Sequence, residues 1–497
     1  MTDITLLPQV TAFLDRQLGH YIHGQLVAGA GVERFAVVNP ATGLAIAQVN
    51  EGGQAEVDAA MQAAFDAFHD SWAQVSPLER GNCLTRLADL LQTHREELAQ
   101  LESLCSGKTI QLSRGLEIDM ASQFLRYFAG WSSKISGETL NVSLPSFQGE
   151  QYSAFTRREP LGVVVGIIPW NFSIMIAIWK LAAALTCGCT VVLKPSEYTP
   201  LTMLRVAELA TQAGIPAGAL NVINGSGARL GPMLIAHPRC AKVTFTGSVP
   251  TGIAVGKAAM GQGIVRTTLE LGGKNAAAFL ADVSVDKMVD GIIEAGYLNQ
   301  GQICAAAERF YLPASHIDEV LAKLTQRLAA MKVGSPLDES TEVGPLANEA
   351  HYRKVLALFD KARADGSQIV CGGQALAGPG FFVAPTAIRA NGPHDALMRE
   401  ETFGPVGTFL AYEDEEQMIA MINDSPYGLA ASLWTNDLSK AMRMIPRIDV
   451  GTLWINMHTF LDPALPFGGV KSSGMGREFG SAFIEHYTEL KSVMVRY

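Results

Sequence analysis

Basic blocks are missing from this chain of 497 residues: 38 Lys and Arg stand against 48 Asp and Glu, a formal charge of -10, and nowhere do the positive residues cluster. That excludes nucleic acid or an anionic membrane surface as the main partner and leaves a small molecule as the default. Clean apolar runs are short. The most hydrophobic stretches, 161–169 and 174–187, are interrupted by Asn171 and Lys180, so neither offers the roughly 18 residues of a membrane-spanning helix. Cysteine is sparse. The seven (Cys83, Cys105, Cys187, Cys189, Cys240, Cys304, Cys371) are odd in number and scattered, without CxxC or HxxxH spacing, so neither a disulfide framework nor a zinc site is expected. The opening MTDITLLPQV has neither a basic nor an apolar leader segment, and reduced thiols in the cytoplasm are the expectation. No internal repeat or low-complexity tract is evident.

What is present suits a large globular protein of two or three domains, with 48% hydrophobic and 17% charged residues. A first helix is expected over about 8–18, then a small strand hairpin formed by 21–28 and the turn Asn39–Gly43. Helices follow. Val57, Met61, Ala64, Phe65 and Phe68 share one helical face, Leu84, Leu87, Leu90, Leu91 and Leu98 another, and a third helix is expected through about 116–134.

Between 160 and 273 the pattern changes to strand-like runs (163–168, 190–195, 220–224, 242–247, 266–273) separated by helical segments, with Thr199 and Pro200 as an N-cap and N1 pair. Such alternation predicts an α/β fold: a Rossmann-like parallel sheet covered on both faces, the class that binds dinucleotides beyond the carboxyl ends of its strands. It restarts at 276–280 and continues to about 455, predicting a second α/β domain. The expected division is 1–135 with 160–272, then 273–470, with 136–159 and 486–497 as a small β arm and tail. Pattern alone leaves open whether these extensions pair with another subunit or form a surface hairpin.

Three stretches carry candidate chemistry. In LNQGQICAAAER (298–309), Cys304 lies among small residues after an apolar-periodic helix; thiolate is intrinsically very nucleophilic, while an ordinary cysteine is a small buried hydrophobe, as expected of the other six. In Glu270-Leu271-Gly272-Gly273-Lys274-Asn275 a carboxylate closes a strand beside a bend, as a desolvated general base, a structural ion pair or a bend residue. Asn171, in Pro169-Trp170-Asn171-Phe172, follows a buried strand and could donate to an oxyanion, or serve a turn or N-cap. The dinucleotide fingerprint GxGxxG is absent. Gly225-Ser226-Gly227 with Gly231 has the wrong spacing and reads as a loop, whereas 246–252 follows a strand and opens a helix whose N-terminus could hold pyrophosphate, with Pro250 tolerated in the first turn. Lys194 and Glu197 end the preceding strand unit, where a ribose could be gripped.

With PWNFS (169–173), KPSE (194–197), FTGSVPTG (245–252), LELGGKN (269–275), GQICAAAER (301–309), EETFGPV (400–406) and PFGGVKSSGMGRE (466–478) in this order, the chain resembles the aldehyde dehydrogenase superfamily over nearly its whole length. The resemblance implies that Cys304 attacks an aldehyde, that Asn171 and the Cys304 N–H hold the oxyanion, and that Glu270 activates the water that hydrolyses the thioester. It carries Lys194 and Glu197 to the adenine-side ribose, Trp170 and Ser248 to the pyrophosphate, and Glu401 and Phe403 to the nicotinamide ribose. NAD is expected over NADP, because the Glu197 carboxylate would repel a 2′-phosphate. Glu478 would be a proton-relay carboxylate behind Glu270 or one half of a buried ion pair. The chain departs from the commonest pattern at Pro250, which bears on the pyrophosphate, and at Glu308, expected to affect only local ion pairing.

The same resemblance lines the entrance to Cys304 with Met120, Phe172, Met175, Trp179, Leu298, Ile303, Leu461 and Phe467. Such a wall favours an aryl or aliphatic aldehyde over a charged one, and the sequence is similar to bacterial phenylacetaldehyde dehydrogenases. Alternatives are a broad aliphatic aldehyde dehydrogenase, a coenzyme-A-acylating enzyme, which generally lacks the base at 270, a cysteine hydrolase, and a non-catalytic protein on this fold. A homotetramer built as a dimer of dimers is implied.

Overall fold

The computed structural model describes residues 5–261 and 263–497. The strands Val163–Ile167 and Thr190–Lys194 are buried at every position, which is why they read as continuous apolar runs rather than alternating ones. They lie inside an eight-stranded sheet ordered Gln25–Val27, His20–Ile22, Leu220–Val222, Thr190–Lys194, Val163–Ile167, Cys240–Gly247, Arg266–Leu271, Gly474–Met475. The five strands from Leu220–Val222 to Arg266–Leu271 are parallel, and the outer pairings are antiparallel. The chain winds outward from Val163–Ile167 to Leu220–Val222, then returns to Cys240–Gly247 on the other side. That reversal is a topological switch point, and the segments leaving the carboxyl ends of its two strands are Pro169-Trp170-Asn171 and Gly247-Ser248.

A seven-stranded sheet follows, ordered Gln368–Cys371, Thr386–Arg389, Val406–Tyr412, Ala307–Pro313, Asn275–Phe279, Ala430–Trp434, Thr452–Ile455, parallel except for its first strand. The bend Gly272-Gly273-Lys274 joins the two sheets, so Glu270 closes one and Asn275 opens the other. The helix Ser173–Thr186 is buried along its full length and starts two residues after Asn171. None of the described helices is long and apolar enough to cross a membrane.

Several local expectations are corrected. The N-terminal segment makes two hairpins, His20–Ile22 with Gln25–Val27 and Arg34–Asn39 with Leu44–Asn50, because His23-Gly24 supplies a tight turn of positive φ by itself. The leucine face at 84–98 belongs to two helices, Pro77–Thr93 and Arg95–Ser106, divided at His94. The next helix begins earlier, at Ile110, passes through a π-helical stretch at Ser113–Asp119 and stops at Ala129. Thr199 does not cap: the helix starts at Leu201, and the buried Thr199 hydroxyl has no partner among the described residues. Gly227 opens a helix to Ala236 where a loop is expected. The tail strand Thr488–Arg496 pairs antiparallel with Tyr152–Pro160 of the same chain, and Thr139–Leu140 completes a three-stranded sheet.

Candidate active site

Cys304 stands where two cavities meet. One, of about 200 Å³, is lined by Trp170, Asn171, Thr246, Ser248, Glu270, His351, Lys354, Glu401 and Phe403 among others. The second, of about 120 Å³, is almost wholly apolar, and Met120, Phe172, Met175, Trp179, Leu298, Ile303, Leu461 and Phe467 lie together around it with Leu116, Ile176, Ala305, Thr459 and Phe460. Cys304 borders both and is partly exposed, whereas five of the other six cysteines are buried and Cys371 is half-buried.

The backbone around the thiol is held from several sides. Asn299, Gln300 and Gly301 have φ of 51°, 56° and 67°, three left-handed residues in a row that turn the chain before Cys304. At Gly301 a Cβ would stand 2.0 Å from the Gly404 carbonyl oxygen, so that position accepts no side chain. The Asn275 amide donates to the carbonyls of Cys304 (2.7 Å) and Ala306 (2.9 Å) and accepts from the Ala430 N–H at 3.0 Å. His458 Nε2 lies 2.8 Å from the Ala305 carbonyl; burial lowers its pKa to about 4, so the ring is neutral at pH 7 and can donate there. The buried Asn171 amide donates to the Gln302 carbonyl at 3.0 Å, which orients it and leaves its second N–H available.

Glu270 is buried, and both its carboxyl oxygens lack a hydrogen-bond partner among the described residues. Burial, then the neighbouring Glu478, push its pKa well above the usual carboxylate range, against the smaller opposing pull of Lys180 and Arg477. A polar group left unpaired in a protein interior is expensive, and a carboxyl in that condition beside a cleft is suited to taking up a proton. Glu478 itself receives a hydrogen bond from Lys180 Nζ at 2.7 Å, and both are buried. Burial raises the Cys304 thiol to about 12, with the charges of Glu270 and Glu401 adding to the shift, so the resting group is a thiol.

On the far side of the polar cleft, Trp170, His351 and Phe403 form an aromatic cluster with ring centroids 5.2–5.9 Å apart. Glu401 accepts from the Gly273 N–H at 3.1 Å, and a Cβ on Gly272 would stand 2.4 Å from its carboxylate, so the glycine bend admits it. Ser248 Oγ accepts from the Thr251 N–H at 3.4 Å at the start of the helix Val249–Gly261, with Pro250 in its first turn as the sequence predicts. Lys194 and Glu197 pair at 3.2 Å and lie outside the lining of this cleft, although Lys194 ends the strand next to Val163–Ile167.

Sequence reasoning overlooked His351 and Lys354, which share the helix Glu349–Ala364 and belong to no recognisable motif. Asn275 was within reach, since it ends the LELGGKN run. Glu308 does more than pair locally: besides Lys274 it accepts from the backbone N–H groups of Thr402 and Phe403, each at 2.8 Å.

The chain with this thiol-bearing turn, switch-point cleft and unpaired carboxyl matches a known family: the model of the aldehyde dehydrogenase family covers residues 26–493. The chain belongs to that family. It is 43% identical over 479 residues, 96% of this chain and 95% of the other, to phenylacetaldehyde dehydrogenase of Pseudomonas fluorescens. Among solved structures it is similar to the NAD+ complex of aldehyde dehydrogenase from Bacillus cereus, with TM-score 0.96, 38% identity and 99% of each chain covered. It also resembles the NAD+ complex of betaine aldehyde dehydrogenase from Staphylococcus aureus, with TM-score 0.94 and 35% identity over 98% of this chain and 97% of that one.

Proposed function

We propose that this chain oxidises an apolar aldehyde, aryl or aliphatic with phenylacetaldehyde foremost, to the carboxylic acid with NAD as acceptor. The observation that carries the reading is the position of Cys304 between an apolar cavity and a polar cleft that also holds the unpaired carboxyl of Glu270. The similarity to a phenylacetaldehyde dehydrogenase and to two NAD+ complexes supports substrate and cofactor.

The residues of the polar cleft fit a dinucleotide: a helix N-terminus beside Ser248, the Trp170 and Phe403 rings, and Glu401 against a glycine bend. Trp170 and Ser248 would hold the pyrophosphate, Lys194 and Glu197 the adenine-side ribose, and Glu401 and Phe403 the nicotinamide ribose. NAD when bound accepts the hydride. Cys304 Sγ, giving its proton to solvent in the cleft, adds to the aldehyde carbon; the free Asn171 N–H and the Cys304 N–H stabilise the oxyanion of the thiohemiacetal. Departure of hydride leaves a thioester on Cys304. Glu270 removes a proton from water as it attacks that thioester, and collapse of the adduct expels the thiolate and the acid. Glu478, paired with Lys180, takes the supporting place behind Glu270. Glu197 disfavours a 2′-phosphate, so NADP is the poorer cofactor.

Residues 1–135 with 160–272 then form the NAD-binding domain, 273–470 the catalytic domain, and 136–159 with 486–497 an oligomerisation arm. Among the described residues the outer edge of Thr488–Arg496 has no strand beside it, which suits pairing with a second copy in a homotetramer built as a dimer of dimers. Seven free cysteines suit a cytoplasmic enzyme. The test is NADH formation with phenylacetaldehyde, benzaldehyde, hexanal, betaine aldehyde and succinic semialdehyde. Phenylacetaldehyde is expected to give the highest kcat/KM; a wide lead for a charged aldehyde overturns the substrate assignment.

A further inference from the structure

The strand Ala307–Pro313 lies at the centre of the second sheet, and its second residue, Glu308, is buried. A buried carboxylate must be neutralised and fully hydrogen-bonded to be tolerated. Here the neutralising cation is Lys274, itself buried, which also donates to the Thr402 hydroxyl at 3.2 Å. The two carboxylate oxygens then take separate backbone partners: one accepts from the Thr402 N–H and the other from the Phe403 N–H, each at 2.8 Å. One side chain thus grips two consecutive peptide groups.

The gripped segment is strained. Phe403 has φ of 57°, the left-handed region, which a bulky residue holds only where its surroundings impose it. The bonds from Glu308 are one imposed constraint; a second is His351 Nε2, 2.6 Å from the Phe403 carbonyl oxygen. The same segment carries the Glu401 carboxylate and the Phe403 ring into the polar cleft beside Cys304. Glu308 does not line either cavity that meets at the thiol. It reaches the site through the backbone it holds and, as a charge, adds through space to the upward shift of the Glu401 pKa.

We propose that Glu308 is a positioning residue for the cofactor: its Lys274-neutralised carboxylate holds Thr402 and Phe403 in the turn that presents Glu401 and the Phe403 ring to the nicotinamide ribose. This rests on the reading of Glu401 and Phe403 as the ribose-facing pair. It assigns to Glu308 a specific effect on cofactor affinity, separate from acylation of the thiol. A glutamine keeps one acceptor oxygen, so it holds one peptide group and strands the Lys274 charge. An aspartate keeps the charge but is one methylene short.

The test compares Glu308→Gln, Glu308→Asp and Glu401→Gln in the full-length enzyme. NADH affinity is read by fluorescence titration, KM for NAD and kcat from steady-state rates, and thiol chemistry from cofactor-free hydrolysis of p-nitrophenyl acetate. Glu308→Gln is expected to weaken NADH binding and raise KM for NAD about tenfold or more, the scale of one lost hydrogen bond to a charged group, with Glu308→Asp between it and the parent. Ester hydrolysis is expected to stay near the parental rate in both. An equal fall in ester hydrolysis and in NADH affinity would mean that Glu308 merely maintains the fold, and overturns the proposal. If Glu401→Gln weakens NADH binding but neither Glu308 variant does, the proposal fails while the ribose assignment stands. If Glu401→Gln leaves NADH binding unchanged, the ribose assignment fails and takes the proposal with it. Should Glu308→Gln not fold, the aspartate variant, which keeps the buried charge pair, decides by the same readings.

Discussion

The cavities on either side of Cys304, of about 200 and 120 Å³, are opposite in chemistry. The first carries Glu270, His351, Lys354 and Glu401 besides the thiol; the second has no ionisable side chain but the thiol. Charge in the first is costly, and it shows in the pKa values: burial is the leading cause that pushes Glu270 well up, Glu401 to about 7 and Cys304 to about 12. The apolar cavity stores no such tension. Its walls discriminate by exclusion of charge and by shape, whereas the polar cleft supplies every group that can move a proton.

Removing the atom the two cavities share has the largest expected effect. Cys304→Ala abolishes both aldehyde oxidation and cofactor-free ester hydrolysis, and residual turnover of any aldehyde would separate the reaction from this junction. Next comes Glu270→Gln, which disables the polar side alone: stopped-flow is expected to record a burst of NADH equal to the enzyme present, followed by a steady rate lower by about 10²–10⁴-fold. Full steady turnover would remove Glu270 from the hydrolytic step.

The apolar side is probed by Leu461→Asp, which puts a carboxylate into the wall. A loss of about 10–200-fold in kcat/KM for phenylacetaldehyde is expected. A comparable loss for ester acylation by p-nitrophenyl acetate is expected too; an unchanged rate for both would mean that the substrate enters elsewhere. The smallest effect concerns pH. A raised Glu270 pKa means that its neutral form predominates in the folded enzyme up to that pKa, so the steady rate should rise with pH through a value well above the ordinary 4.5. For stability the pH dependence runs the opposite way: the contribution of the neutral carboxyl is complete below the unfolded pKa and is lost as pH rises through the folded one. A pH–rate profile that is already flat above pH 5 would contradict the raised pKa.

Much of this arrangement was legible in the sequence, for physical reasons. A parallel strand covered on both faces must be apolar throughout, so 163–168 and 190–195 announced themselves, and the motif residues sit at strand ends, where side chains are freed for chemistry. The apolar wall was legible by resemblance: its eight residues come from segments as distant as Met120 and Phe467, and they meet around one cavity. Illegible features depend on distant partners. His351 owes its place to a helix docking beside Trp170, and the Thr199 hydroxyl failed to cap because the helix begins beyond Pro200. The break at His94 left no gap in the leucine pattern, since both helices bury their leucines in the same core.

The arm and tail sheet has a further consequence, for the order of events in synthesis. Lys491 donates to Glu159 diagonally across that sheet, at a sequence separation of 332 residues. At ~5–20 residues per second, a nascent chain would expose the strand Tyr152–Pro160 for roughly 20–70 s before its partner emerged. Throughout that interval its ladder groups are open to the wrong neighbour. The charges of that strand itself, Arg157, Arg158 and Glu159, are suited to act in that interval as gatekeepers against pairing with another unfinished chain.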